Sequence, residues 1–379
     1  MPISTDTAEM HYRAGEPRED TSLLESPTRD PALQACLGDA LWGSRDDSCQ
    51  TLNGVVGALE HYWGFYTREC RNGLYDGGRH LALRQHGDVM EIAARIRCHA
   101  DRKELRELVR TKLTAAYHAG EEQLDEDELL DKSVDLVASL MLMTRFGSNP
   151  YGISGHGEIQ WSKGSLGDVI GRFFGEGNVL VTETVKLEKM FTGPNLGRIG
   201  GLRIVWTDNL ADHLRLSDDD QHVYIFHHAS FLERQRQSCD GILPPGLAEE
   251  TMQTLTLLFP SSDRKIRKWF LKLPEASSLD RRVVQCGRLK ADHRKIDRFV
   301  FWRDRLVILK QAFDEAQPKT LSQWWLDRRN AVQWYTFWVA LMVLVLTVVF
   351  GLIQCIEGGL QVYASFQQMG EGPGPLHGR

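Results

Sequence analysis

Three histidines lie close together in the sequence and could bind a metal ion or transfer protons: His213, His227 and His228. The same segment holds carboxylates that could complete such a site, at Asp208, Asp212, Asp218, Asp219 and Asp220. However, neighbouring residues of a strand point to opposite faces of a sheet, so His227 and His228 should diverge. The run of three aspartates is typical of a solvated turn, and the histidine spacing matches no metal motif. We therefore predict no catalytic residue and no metal ligand. An enzyme with a site around the three histidines is retained as an alternative.

The other residues that could do chemistry give weaker signals. The seven cysteines are scattered and form no CxxC pair, which indicates reduced thiols in a cytosolic domain rather than disulfides or a zinc site. Cys286 lies in a basic sequence, but no histidine or helix start is aligned with it to activate the thiol. The glycine-rich run 193–201 (GPNLGRIGG) lacks the phosphate-loop pattern and is predicted to be a turn. We expect no cofactor.

Positive charge is concentrated in residues 263–310, which hold fifteen Lys and Arg against six Asp and Glu in a chain of net charge −6. This segment is either a solvated surface with partly paired charges or a surface attracted to anionic lipid head groups. The residues that we predict to face lipid are Arg264, Lys265, Arg267, Lys268, Arg328 and Arg329. Nucleic acid is not an expected partner, since the chain is acidic overall and has no nucleic-acid-binding motif.

Apolar periodicity predicts the elements that must position these residues. Helices are expected at 88–98, 101–117, 127–146 with Gly147 as its C-cap, 165–174 with Ser165 and Asp168 at its start, 243–259 and 296–316. Strands are expected at 179–185, 202–206 and 223–227, and Asp208 is expected to cap a short helix before the last strand. The predicted fold class is α+β: mainly α with a small β-sheet near 179–227.

The longest apolar run extends from Trp334 to Ile353, twenty residues without a charge. At 1.5 Å per residue, such a helix is about 30 Å long, the thickness of the hydrocarbon core of a bilayer. We predict a single transmembrane helix over 334–356, continuous with a juxtamembrane helix over 318–333. The residues assigned to the membrane segment are Trp334, Trp338, Leu341, Leu344, Leu346, Phe350 and Ile353.

Flanking charge predicts the orientation of this helix. Arg328 and Arg329 precede it, whereas Arg379 is the one basic residue after it. The N-terminal bulk should therefore be cytosolic and the tail, 357–379, outside or lumenal. Residues 1–31 are polar and predicted to be disordered, with no apolar stretch of the kind found in a signal peptide. Insertion would then follow translation, as for tail-anchored proteins.

Long stretches of the chain carry a resemblance to known sequences. They are WTDNLADHLRL at 206–216, IFHHASFL at 225–232, and FWRDRLVILKQAFDEA with RRNAVQWYTFWVA inside 301–340. These stretches resemble a family of uncharacterised fungal proteins, over about residues 125–366. The resemblance implies an α-rich body with a C-terminal membrane segment, and it brings no activity or active site with it.

These observations predict a cytosolic domain over 32–317, anchored in the bilayer by the helix that follows. The predicted role is that of an interaction, sensor or regulatory protein at a membrane, with the lipid bilayer and an unknown protein as partners. A channel or transporter subunit of the CorA-like kind is a second alternative. It is disfavoured because the chain has one predicted span, no ring of charge within it and no GMN tripeptide.

Overall fold

The computed structural model describes residues 21–43, 59–75, 80–116, 126–147, 158–175, 185–218, 220–238, 241–316 and 331–370. The chain divides into two compact units, Met1–Ala316 and Gln317–Arg379. The α-helices of the first unit are α1 Pro31–Trp42, α2 Glu60–Gly73, α3 His86–Arg97, α4 Arg102–Ala116, α5 Glu126–Leu142, α6 Leu166–Gly175, α7 Gly193–Arg198, α8 Ala229–Gln237, α9 Leu247–Leu258, α10 Arg264–Phe270 and α11 Arg303–Glu315. Its strands are β1 Arg145–Phe146, β2 Glu158–Ile159, β3 Arg203–Thr207, β4 Leu216–Ser217 and β5 His222–Phe226. The predicted fold class, mainly α with a small sheet, is confirmed.

The apolar face of α5 forms the centre of the helical part of this unit. The residues of that face, all fully buried, are Leu130, Val134, Val137 and Met141. Helices α1 to α4 each pack against α5. The indole of Trp42 donates a hydrogen bond to the Met141 carbonyl at 2.9 Å, so α1 is fixed to α5 by a polar contact inside the apolar core.

Helix α5 ends four residues earlier than predicted. Its last residue is Leu142, and the positive φ of Met143 (50°) turns the chain away from the helix. Phe146, which continues the apolar pattern of the helix, instead lies in β1 and pairs with Ile159 of the parallel strand β2. The prediction of Gly147 as the C-cap is therefore wrong, because its N–H bonds to the Ile159 carbonyl at 3.3 Å across this pair.

The remaining predicted helices up to residue 260 agree with the structure to within a few residues. Helices α3, α4 and α9 lie inside or beside the ranges 88–98, 101–117 and 243–259. At the start of α6, the Ser165 hydroxyl donates to the Asp168 carboxylate and accepts from the Asp168 N–H, as expected of a capping pair.

Part of the segment that we predict to be disordered packs on the helical body. Leu23 is fully buried, and its N–H bonds to the Arg84 carbonyl at 2.9 Å. Ser22 forms a bridge with Gln85 beside it. Residues 21–31 therefore belong to the folded unit, whereas residues 1–20 lie outside the described part of the chain.

The small sheet has the strand order β3-β5-β4. Strand β3 pairs with β5 in parallel, from Arg203 opposite His222 to Thr207 opposite Phe226, and β4 pairs antiparallel with β5. The turn Leu210–Asp212 follows β3 and is capped by the Asn209 side chain, not by Asp208 as predicted. The predicted strand 179–185 falls almost entirely outside the described residues.

The helix predicted over 296–316 is broken near its start. A single turn, Ile296–Arg298, is followed by a non-helical segment, and α11 begins at Arg303. The Glu250 carboxylate of α9 accepts the N–H groups of Val300 and Trp302, each at 2.8 Å. Because these two N–H groups donate to Glu250, they are not available for the hydrogen bonds of a helix. The backbone is therefore non-helical here, although the local sequence predicts a helix.

The second unit is described for residues 331–370 and forms one helix, α12 Ala331–Gly370. All seven residues assigned to the membrane segment lie in it. Residues Trp334–Gln367 have a mean hydropathy of 2.8 in their most apolar window, and none of that window is buried. By length and composition this helix can cross a membrane. It continues past the predicted end at 356, and the predicted juxtamembrane helix lies mostly outside the described residues.

Candidate functional site

The parallel pairing of β3 and β5 brings together the residues that follow each strand. Thr207 ends β3 opposite Phe226, which ends β5. Asp208 therefore lies beside His227 and His228 at the carboxyl edge of the sheet. In sheets of parallel strands this edge is where ligands usually bind, so the cluster is the first candidate site.

One carboxylate oxygen of Asp208 accepts hydrogen bonds from both histidines. Its Oδ1 lies 3.0 Å from Nε2 of His227 and 2.6 Å from Nε2 of His228. The other oxygen, Oδ2, accepts from Nη2 of Arg68 on α2 at 2.7 Å. Both imidazoles are buried, whereas Asp208 is about one-third exposed. The prediction that the two histidines diverge is wrong, because both follow the last residue of β5 and strand alternation no longer applies to them.

The protonation states in this cluster follow from its burial and hydrogen bonds. Burial opposes ionisation of Asp208, but the hydrogen bonds from His227 and His228 outweigh it and hold the pKa of its carboxyl well below the usual range. Burial, together with the neighbouring His227, lowers the pKa of His228 to about 4. Near neutral pH the cluster is therefore an ionised carboxylate that accepts from a neutral His228.

The tautomer of His227 is fixed from its other side. Its Nδ1 accepts the backbone N–H of Asp280 at 3.4 Å, so its proton is on Nε2, facing Asp208. Asp280 is itself buried, and its Oδ2 accepts both the N–H and the hydroxyl of Ser230 at 2.6 Å. His227 therefore has a partner at each ring nitrogen, Asp208 at Nε2 and the Asp280 N–H at Nδ1.

The same three side chains are also candidates for a metal site, since their ligand atoms lie within 4.8 Å of one another. An imidazole that binds a metal through Nε2 usually donates its Nδ1–H to an oxygen, but Nδ1 of His227 faces an N–H. The rings of His227 and His228 are also stacked, with centroids 4.0 Å apart and an interplanar angle of 29°. Two such planes do not meet within a metal–nitrogen distance of about 2.1 Å. The geometry fits a hydrogen-bonded carboxylate better than a metal centre.

His213 has different partners from those of the other two histidines. It is fully buried, its Nε2 lies 2.6 Å from the Thr254 hydroxyl of α9, and its Nδ1 accepts the Phe226 N–H at 3.2 Å. Burial, with a contribution from Arg305, lowers its pKa to about 3. The alternative of one site built from all three histidines is therefore not supported, since His213 is a neutral residue of the core.

Two weaker candidates are explained by packing. Burial raises the pKa of the Cys286 thiol to about 12, so it is not poised to act as a thiolate nucleophile. The glycine-rich run contains the short helix α7, where we predict only a turn. A Cβ on Gly193 would clash with the Phe259 ring, so this glycine is explained by close packing rather than by phosphate binding.

A cleft of about 1110 Å³ that we did not predict is lined by α2, α4, α5 and the chain around Trp161. The Arg102 guanidinium lies 5.0 Å from the Trp161 ring and pairs with Asp131 at 3.0 Å and Asp135 at 2.5 Å. Desolvation opposes this charge, but the two aspartates outweigh it and raise the pKa of Arg102. The spacing of the aspartates, four residues apart on one helix face, was the available signal.

The structure places four predicted lipid-facing residues on one short helix. Arg264, Lys265, Arg267 and Lys268 of α10 are all exposed, and none of them makes an ion pair with another described residue. Arg328 and Arg329 lie outside the described part of the chain.

Comparison with known proteins gives no further guide: no family model, no curated protein and no solved structure matches this chain.

Proposed function

We propose that this chain is a single-pass membrane protein, held in the bilayer by its C-terminal helix, whose first unit works at the cytosolic surface as an interaction, sensor or regulatory domain. The observation that carries the proposal is the apolar surface of α12. A helix that is apolar on all sides needs either a protein core or a membrane around it. The window in Trp334–Gln367 has no burial within the protein.

The composition of α12 supports a span rather than a core helix. Between Trp334 and Gln367 the one charged residue is Glu357. The large apolar side chains exposed along this stretch are Tyr335, Val339, Met342, Val343, Leu344, Val345, Leu346, Val348, Val349, Phe350, Leu352, Ile353, Ile356, Leu360, Val362, Tyr363 and Phe366. Leaving so many apolar side chains in water costs about 1.5 to 3 kcal/mol for each large one, so hydrocarbon is the medium that fits them.

The orientation and the mode of insertion are the finer parts of the proposal. Arg328 and Arg329 before the helix, against Arg379 alone after it, favour a cytosolic first unit. The resemblance to fungal proteins with a C-terminal membrane segment points to the same architecture. One described span and the absence of GMN in the sequence weigh against a CorA-like channel.

An interaction role is favoured over catalysis by the state of the best polar cluster. Asp208, His227 and His228 satisfy one another, and the two imidazoles are buried. A general acid or base must reach its substrate. The Nε2 atom of each ring is hydrogen-bonded to Asp208, so it is not available to a substrate from solvent. We therefore expect the first unit to act through its surfaces, by interaction.

Truncation after Asn330 tests the proposal. The shortened chain should be recovered in the soluble fraction, folded, because it keeps the first unit and loses α12. A matched control that ends after Gly370 keeps the whole described helix and should resist carbonate extraction from membranes. If the chain ending at Asn330 also resists carbonate extraction, a second anchor exists and the proposal is wrong.

A further inference from the structure

We propose that α10 and the two residues after it form a lipid-binding surface that adsorbs to an anionic leaflet, with Leu271 inserting among the head groups. This inference rests on the membrane anchoring proposed above and names the surface through which the first unit meets the bilayer. We refer to the surface as the α10 arc. Its members are Arg264, Lys265, Arg267, Lys268, Leu271 and Lys272.

The helical geometry of α10 collects these residues on one side. Successive residues of a helix are 100° apart, so Arg267 and Lys268 are the neighbours of Leu271 at four and three residues before it. The Leu271 N–H bonds to the Arg267 carbonyl at 3.1 Å, and its backbone is right-handed helical, so the helical arrangement reaches Leu271. On the opposite side, Ile266 and Phe270 are 5% and 0% exposed. The arc is therefore the whole solvent side of the helix.

The charges of the arc are not neutralised within the described part of the molecule. None of its five cations makes an ion pair there, and the nearest acidic residue in sequence, Asp263, caps the helix by accepting the Lys265 N–H at 2.8 Å. Three arginines of α4 differ in this respect. Arg102, Arg106 and Arg110 each pair with acidic residues of α5. An uncompensated cationic surface is what an anionic leaflet attracts, by roughly five-fold in binding for each Lys or Arg near it.

Leu271 distinguishes lipid from other anionic partners. Its side chain is 54% exposed between Arg267 and Lys268. A single exposed leucine is ordinary on a protein surface, but here it is the apolar member of an otherwise cationic arc. Basic residues around an apolar side chain are the composition of helices that lie in a membrane interface. Nucleic acid would be attracted by the same charges, yet a phosphodiester backbone offers nothing to an aliphatic side chain.

The neighbouring Trp269 does not serve this purpose. It is half-buried and stacked on Phe259, with ring centroids 6.1 Å apart and an interplanar angle of 8°. This contact packs α10 against the end of α9, and Phe270, whose ring centroid is 5.7 Å from that of Trp206, packs it against β3. The arc can therefore be altered without touching the residues that fix the helix.

Hydrogen–deuterium exchange of the full-length protein in lipid nanodiscs tests the proposal. The discs contain phosphatidylcholine alone, or phosphatidylcholine with phosphatidylserine. We expect the peptide amides around 264–272 to exchange several-fold more slowly in the anionic discs, and this protection to disappear as salt is raised. Amides of α5 should exchange equally in both discs and report that the fold is unchanged.

Two variants separate charge from insertion. R264E/K265E/R267E/K268E should abolish the protection, whereas reversal of four other exposed cations, Arg95, Lys103, Lys163 and Arg198, should leave it intact. Leu271→Asp should also abolish it with all five cations of the arc still present. Leu24→Asp is the matched control, since Leu24 is 56% exposed and lies outside the arc.

Each outcome decides between the proposals. Failure of the wild-type protein to enter discs would refute the membrane anchor itself. Entry into discs with equal exchange in both lipids would refute the α10 arc and leave the anchor standing. Protection that survives Leu271→Asp would refute insertion, and protection by an oligonucleotide in neutral discs that exceeds protection by phosphatidylserine would assign the arc to nucleic acid instead.

Discussion

Replacing Asp208 by Asn should destabilise the first unit by about 3 kcal/mol, because the change removes a charge without altering the shape of the side chain. Hydrogen bonds to a charged group are worth about 1.5 to 3 kcal/mol each, and bonds between neutral groups about 1. The two bonds from His227 and His228 should each lose between about 0.5 and 2 kcal/mol. The amide nitrogen of the new Asn is itself a donor, and it would face another donor, either the Arg68 guanidinium or an imidazole N–H. Two facing donors form no hydrogen bond, which adds to the loss of stability.

The measurement is urea unfolding of residues 1–330 at neutral pH, with wild type and Asp208→Asn compared. A loss of about 3 kcal/mol corresponds to a change of roughly a hundred-fold in the folding equilibrium. Asp218→Asn is the matched control. Asp218 pairs with His222 at 2.8 Å, but its side chain is 73% exposed, so the same change should cost less than about 0.5 kcal/mol.

Two results would refute the reasoning. If Asp208→Asn and Asp218→Asn have the same small effect, the buried imidazoles do not depend on the carboxylate. If Arg68→Ala costs as much as Asp208→Asn, the energy lies in the half-exposed ion pair with Arg68 and not in the histidine bonds.

Three further predictions follow from the described contacts. Burial lowers the pKa of His213 from 6.5 to about 3 and that of His228 from 6.5 to about 4, so as the pH falls these histidines are protonated in the unfolded chain before they are protonated in the folded one. The free energy of unfolding should therefore be constant above about pH 6.5 and fall steadily as the pH drops through 4. A urea midpoint that stays flat over this window would contradict the assignment. Gly193→Ala should cost about 1 to 3 kcal/mol by forcing a methyl group against Phe259, whereas Gly171→Ala in α6, which meets nothing within 4 Å, should be neutral or slightly stabilising in the same unfolding assay. A glycosylation acceptor placed after Met369 should be modified in microsomes and one near residue 150 should not, and the reverse pattern would overturn the cytosolic orientation of the first unit.

The elements that could be predicted are those whose signal is local. The apolar face of α5 repeats at helical spacing and is buried as that spacing requires. The apolar run in α12 needs no partner to be recognised. In both cases the physical cause, a continuous apolar surface, is visible within about twenty residues of sequence.

The elements that were missed depend on residues distant in sequence. Glu250 breaks the predicted helix at Val300 and Trp302 from fifty residues away. The convergence of Asp208 with the histidine pair depends on the parallel pairing of β3 with β5, which no local pattern specifies. Arg68 reaches the same carboxylate from α2, 140 residues earlier. The alternation rule for strands does not apply to His227 and His228, because both follow the end of β5.

The uninterrupted course of α12 bears on how the helix can fit a bilayer. From Trp334 to Ile356 the chain is helical and uncharged, which makes about 35 Å of apolar rod. The helix continues to Gly370, so the rod has no break at which it could shorten. This length exceeds a hydrocarbon core of about 30 Å, so the helix can span such a bilayer with some tilt. A helix without a break can respond to a thinner bilayer only as one rod, by tilting as a whole or by thinning the lipid around it.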